Sequence, residues 1–393
     1  MPSPAHRATI VDVARAAGVS HATVSRFLNQ RSYVSASART AIEAAIAEVG
    51  YVPNRTARSL VRRETHAVAF IVREHPDLFF LDSNLSNMAV GANTSLSGRG
   101  YQMMVLIVDS ESSADRIIEM ISGGFVDAAI LVAMQDNDPV IVRLAQSPTP
   151  LVTASAPAPD SGIPRVDTDN TGGTRTITEM LLSTGRRRVA EIRGPRDEPA
   201  SHLRHDGFRS ALGALYDPML VEDATRWNED AGAAAMRALL RRDPSIDGVV
   251  AASDLLAAGA LDALRAAGRS VPGDVGIVGF DDSPIAALTQ PPLSTVRQDA
   301  RRLGEAMAEL AIRQINGERL DGYADTIPNE IVWRASAGDP RLASRAGRRL
   351  GRAARPLPGG RERARVARRV LGRHRPAVGL GGDLGAERGC GHT

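Results

Sequence analysis

"TIVDVARAAGVSHATVSRFLN", Thr9 to Asn29, is the stretch that decides how the chain is built. Thr9 stands before an apolar-periodic segment with Asp12 three residues on. That is a variant capping box, in which a hydroxyl serves an orphan amide and an acid reaches back. Ile10, Val13, Ala14 and Ala17 recur at helical spacing and form one inward stripe. Gly18 suits the left-handed conformation that ends a helix, and Val19 plugs the corner. Ser20 then caps a second helix, "HATVSRFLN". Helix, glycine turn, helix is the helix-turn-helix arrangement. Val24 and Leu28 hold the second helix to the first and leave His21, Ala22, Ser25 and Arg26 on the outer side. Small outward residues let a helix enter a DNA major groove. His21, Ala22 and Arg26 can reach base edges there, and Thr23 and Ser25 suit phosphates. A plain helical hairpin without DNA is the competing reading.

Outward from this stretch, Ser35 caps "ASARTAIEAAIAEVG", with Ile42, Ala45, Ile46 and Val49 on one face and Gly50 as the stop. Residues 1–50 thus read as a compact helical head. Residues 51–64, "YVPNRTARSLVRRE", read either as a basic linker or as a short hinge helix ordered only on DNA, since so short a helix is marginal alone. Charge agrees with a polyanion partner at this end. Residues 1–64 hold nine Arg against four acids, and residues 339–393 hold fourteen Arg against four. The chain's net +3 therefore leaves residues 65–338 at −12. All 48 basic residues are Arg, a composition expected of a GC-rich genome.

From Ala67 the texture changes to alternating strands and helices. "HAVAFIVRE", "YQMMVLIVD", "DAAILVAM" and "PLVTAS" read as buried strands with helices between them. The alternation resumes after Asp169 with "RVAEIRG", "GVVAAS" and "VGIVGFDD". Continuous apolar strands alternating with helices imply parallel sheets covered on both faces. Two such series predict two α/β lobes, with a ligand cleft at the carboxyl ends of the strands. No apolar run reaches the length of a membrane span, and the N-terminus lacks the apolar stretch of a signal peptide. The one cysteine, Cys390, excludes an intramolecular disulfide and a cysteine-based metal site. These features suit the cytoplasm. No nucleophile triad, metal cluster or phosphate loop emerges, so neither enzymatic activity nor a metal or cofactor is expected.

The stretch "ATIVDVARAAGVSHATVSRFLNQRSYVSASARTAIEAAIAEVGYVPNRTARSL" resembles the lactose-repressor (LacI/GalR) family of bacterial transcription regulators. The resemblance runs over about residues 8–338. It includes "DTDN" (167–170), "GFRSAL" (207–212), "SDLLAAGAL" (253–261), "VGFDDS" (278–283) and "PPLSTVRQDARRLGEAMAELAI" (291–312). It implies an all-α helix-turn-helix head on a two-lobed, periplasmic-binding-protein-like α/β body that binds an effector and forms a homodimer. By the resemblance, His21, Ala22 and Arg26 read bases. Leu60 wedges into the minor groove at the centre of a palindromic operator, beside Asn54 and Ala57. The full set expected on DNA adds Thr9, Ser20, Thr23, Ser25, Asn29 and Arg55. Carried over position by position, the effector set is Phe79, Phe80, Asp169, Arg204, Trp227, Ser253, Asp254 and Asp281. Ser253 stands where the family often has Asn. An aromatic platform, one guanidinium and carboxylates suit a sugar or nucleoside-like ligand.

Residues 339–393, rich in Arg, Gly, Ala and Pro, read as a disordered tail. Either a nonspecific DNA clamp or a frameshifted or read-through end accounts for its composition. The expected protein is an effector-responsive DNA-binding regulator, most simply a repressor. The alternatives are a cytoplasmic binding module without gene control and a carbohydrate-active enzyme.

Overall fold

The computed structural model describes residues 8–29, 34–51, 64–76, 79, 82–155 and 161–339. The head forms three helices: α1 (Ile10–Ala16), α2 (His21–Asn29) and α3 (Ala36–Val49). Thr9 and Asp12 close the capping box: the Asp12 amide donates to Thr9 Oγ1 at 3.4 Å, and the Thr9 amide to Asp12 Oδ2 at 2.9 Å. Gly18 sits at φ +65° and Gly50 at φ +63°, where a Cβ would be strained. Val13, Val24 and Ile42 are fully buried where the three helices meet, and Leu28 packs partly buried against them.

The body alternates strand and helix through both lobes. Its first lobe contains β1 (Ala67–Val72), α4 (Ser83–Ser97), β2 (Gln102–Ile107), α5 (Glu111–Ser122), β3 (Ala128–Val132), α6 (Pro139–Leu144), β4 (Leu151–Ala154) and β5 (Arg165–Thr168). The second contains α7 (Asn170–Ser183), β6 (Val189–Arg193), α8 (Pro199–Leu212), β7 (Val221–Asp223), α9 (Glu229–Arg242), β8 (Gly248–Ala251), α10 (Asp254–Ala266), β9 (Gly276–Val278), α11 (Pro284–Leu288) and β10 (Thr295–Arg297). The chain then returns to the first lobe with α12 (Ala300–Ile315) and β11 (Ala324–Ile327), and ends in the second with β12 (Glu330–Val332).

The first lobe is a six-stranded parallel sheet in the order β11-β5-β4-β3-β1-β2. The second is a four-stranded parallel sheet, β7-β6-β8-β9, with β10 and β12 pairing antiparallel beside it. Both sheets are covered on two faces, which is why their central strands β1, β3 and β8 read as unbroken apolar runs. The return of α12 differs from a simple succession of two lobes. Its Leu303, Met307 and Leu310 belong to the first lobe's core, against Leu85, Met88 and Leu96 of α4. The chain thus crosses between lobes three times, near residues 168–170, 297–300 and 327–330. Asn329 bonds the first crossing from the third: its Nδ2 donates to the Asp169 carbonyl at 2.8 Å, and its Oδ1 accepts from Thr168 Oγ1. No helix among the described residues is long and apolar enough to cross a membrane.

Candidate functional site

Two surfaces carry chemistry. On the head, α2 buries Val24 and presents His21, Ala22 and Arg26 to solvent, with Thr23 and Ser25 half-buried at its edges. Ser20 Oγ accepts the Thr23 amide at 3.2 Å and lies 2.8 Å from the Thr23 hydroxyl, so these two side chains stiffen the start of the helix. Thr9 is engaged with Asp12 as a cap. Arg26 lies along the helix, its Nε donating to the Ala22 carbonyl at 3.2 Å. The Asn29 side chain, Asn54, Arg55, Ala57 and Leu60 lie outside the described residues, as does the tail from residue 340.

The second surface is a cavity of about 640 Å³ between the lobes, at the carboxyl ends of both parallel sheets. Arg204, Trp227, Ser253 and Asp281 all line it. Arg204 on α8 is 6% exposed. Its Nε donates to Asn170 Oδ1 at 2.8 Å and its Nη1 to the Ala252 carbonyl. Its Nη2 lies 3.6 Å from Asp281 Oδ1, and the guanidinium stacks 3.8 Å from the Phe280 ring centroid. Trp227 precedes α9, and its indole donates to Glu198 Oε2 at 2.8 Å. A Cβ on Gly194 would lie 2.1 Å from the Trp227 ring, so only glycine leaves room for this indole. Ser253 caps α10, accepting the Leu256 amide.

Asp281 follows β9 at φ +115°, and Asp282 follows at φ +53°, a strained pair of non-glycine residues. Their turn is pinned from several sides. Gln298 Nε2 donates to Asp281 Oδ1 at 2.6 Å, and Asp282 accepts from Arg297 and Arg334. Asp254 takes a different place from the one expected. It is fully buried away from the cavity lining, where it accepts from Thr295 Oγ1 at 2.6 Å and the Ser283 amide at 2.7 Å. It braces the Asp281 turn. Burial pushes its carboxyl up to about 7.

Asp169 also lies off the lining. It is exposed and caps α7 through the Gly172 amide at 2.8 Å, because the strand has already ended at Thr168. Phe79 is buried in the first lobe's core and Phe80 lies outside the described residues. The carboxylates that do line the cavity include Asp82, Asp167 and Glu198, which sequence reasoning passed over. Burial raises all three: Asp82 in direction, Asp167 to about 6 and Glu198 to about 7. Asp281 is likewise pushed well above its ordinary value by burial, with Arg204 opposing. The signal for Asp167 was present in "DTDN", at the last strand positions rather than at the helix cap. At one rim the lobes touch: His202 Nε2 lies 2.7 Å from Asp136 Oδ2, and Gln135 Nε2 donates to Asp197 Oδ2 at 2.6 Å.

Comparison with known proteins finds a match for both the head and the body. The pattern described as "Bacterial regulatory proteins, lacI family" matches residues 9–54, and "Periplasmic binding protein-like domain" matches residues 178–337. The HTH-type transcriptional regulator CelR of Thermobifida fusca is 39% identical over 335 residues, covering 84% of this chain and 98% of that protein. A solved CelR–cellobiose complex superposes with a TM-score of 0.66 at 38% identity, covering 84% of this chain and 100% of the other. The lac repressor dimer bound to operator and an anti-inducer superposes with a TM-score of 0.75 at 25% identity, covering 85% and 100%. With a helix-turn-helix head, a two-lobed body and similarity along nearly the whole of a known regulator, the chain belongs to the lacI family of bacterial regulatory proteins.

Proposed function

We propose that this chain is a cytoplasmic, effector-responsive repressor that binds a pseudo-palindromic operator as a homodimer and takes a sugar, cellobiose or a close analogue, between its lobes. The observation that carries the reading is the coexistence of an outward α2 face with an interlobe cavity set beside the chain crossings. The cavity's Trp227 gives an apolar face for sugar C–H groups, and its carboxylates accept from hydroxyls. CelR, solved with cellobiose, supports the ligand class, and the operator-bound lac repressor supports the DNA partner and the dimer. Val105 on edge strand β2 and Val90 on adjacent α4 are exposed apolar residues available to a second copy.

In mechanism, the ligand acts through its different affinity for open and closed lobes. Asp167 and Asn170 flank the first crossing and Gln298 stands at the second, so a ligand held by these groups bears on the segments that set the lobe angle. The helix-turn-helix head of residues 1–50, with the hinge of 51–64, takes up the change, and residues 65–338 generate it. His21, Ala22 and Arg26 read bases in this scheme, and Arg204, Trp227, Ser253 and Asp281 hold the effector.

The test is selection of operator fragments from a random DNA pool by the full-length protein, followed by titration with cellobiose. Specific binding that shifts with cellobiose, in either direction, is expected. Arg26→Ala should lower specific affinity by about 1–3 kcal/mol and relax preference at one base pair per half-site. Arg204→Ala should leave ligand-free DNA binding intact and move the cellobiose midpoint up by about 2–5 kcal/mol. Failure to enrich any DNA sequence would overturn the reading.

A further inference from the structure

Seven carboxylate side chains line the interlobe cavity, against one guanidinium, that of Arg204, among the described residues. That guanidinium is already committed to Asn170, the Ala252 carbonyl, Phe280 and Asp281. Only its Nη2, which faces Asp281 at 3.6 Å, keeps donors for a ligand, so it offers a single donor group rather than a bidentate fork to an incoming phosphate or carboxylate. The acids, by contrast, keep acceptor capacity. Asp82 uses Oδ1 for the Asn84 and Leu85 amides, Glu198 uses Oε2 for Trp227, and Asp281 uses Oδ1 for Gln298. The second oxygen of each accepts from no described residue, although all three line the cavity.

From this geometry we infer that the cleft is a charge filter: it admits hydroxyl-bearing ligands without negative charge and rejects their phosphorylated or uronic counterparts. Asp82, Glu198 and Asp281 are the specificity-determining residues. Hydroxyls donate to the open carboxylate oxygens, whereas an anion would be desolvated against them with only Arg204, already opposite Asp281, to answer it. Asp82 belongs to the first lobe and the other two to the second, so an anion would also hold the lobes apart. The inference rests on the proposed small-molecule site and adds the charge class of its ligand.

The test uses the full-length protein at pH 8 and matched pairs: cellobiose with its 6′-phosphate, glucose with glucose 6-phosphate, and adenosine with its 5′-monophosphate. Binding is followed by isothermal titration. The neutral member of whichever pair binds should be at least about 100-fold tighter than its phosphate. In the double variant Asp82→Asn/Glu198→Gln that ratio should narrow about tenfold, a change that a general loosening of the cleft would not produce because it weakens both members alike. A phosphate that binds within about threefold of its neutral partner overturns the filter, as does an unchanged ratio in the double variant. Binding of adenosine without either sugar would overturn the sugar reading, and the filter is then judged on the adenosine pair.

Discussion

Glu198 stands at the N-cap of α8 but makes no capping bond; its carboxylate turns instead to the Trp227 indole. Burial, with Glu74 and Asp197 adding repulsion, raises it from 4.5 to about 7. The sign of the pH effect follows. Below pH 4.5 both folded and unfolded chains hold the proton and the group costs nothing. As pH rises from there to about 7, the unfolded chain ionises first, so stability is lost, and the loss is complete above about 7. Glu198→Gln keeps an acceptor for Trp227 and removes the charge. It should therefore stabilise the protein by about 1–3 kcal/mol at pH 8 and by much less at pH 5. Thermal unfolding of both proteins at the two pH values checks this. An equal shift at both would assign the effect to packing. Arg204, Trp227, Ser253 and Asp281 were legible in the sequence as positions converging on the cavity. Glu198 and Asp82 were not, because an acid beside a helix start reads the same whether it faces solvent or a buried wall.

At the scale of elements, the helices are joined by reciprocal glycines. A Cβ on Gly232 of α9 would meet the Leu256 carbonyl oxygen at 2.2 Å, and one on Gly259 of α10 would meet that of Glu229 at 1.8 Å. The first lobe repeats the device, with Gly91 of α4 at 2.0 Å from Arg301 O and Gly304 of α12 at 2.0 Å from Met88 O. Helical glycine costs about 1 kcal/mol against Ala, and here backbone-to-backbone packing offsets it. Gly259→Val should destabilise the body by about 3 kcal/mol or more, measured by urea unfolding, since a backbone carbonyl cannot step aside. Gly98→Ala serves as the control. Its φ is −61° and a Cβ there meets nothing nearer than 3.5 Å, so its effect should stay within about 1 kcal/mol. A helix's own apolar period is a local signal. It says which face is buried but not which partner covers it, so the paired glycines stayed invisible until the helices were seen side by side.

For the whole molecule, the two α/β series and the helical head could be read locally, because strand and helix periods are short-range signals. The return of α12 and β11 to the first lobe could not. β11 pairs Ala324 with Arg165, and so distant a pairing leaves no mark on either strand's own pattern. That return has a consequence in time. Synthesis runs from the N-terminus, and the second lobe from α7 to β10 is made before α12 emerges to cover Leu85, Met88 and Leu96 of α4. The lobe that begins first thus stays open while most of the second is made, a wait on the order of 10–30 s at ordinary elongation rates. A chain stopped after Asp299 should therefore be insoluble when expressed, although its second lobe is nearly entire; recovery of a soluble, cooperatively melting product would show that α4 finds other cover. The head, whose contacts span only tens of residues, has no such wait. On the ribosome the reader is ready well before the sensor, and for that interval the nascent chain carries a recognition helix that nothing yet governs.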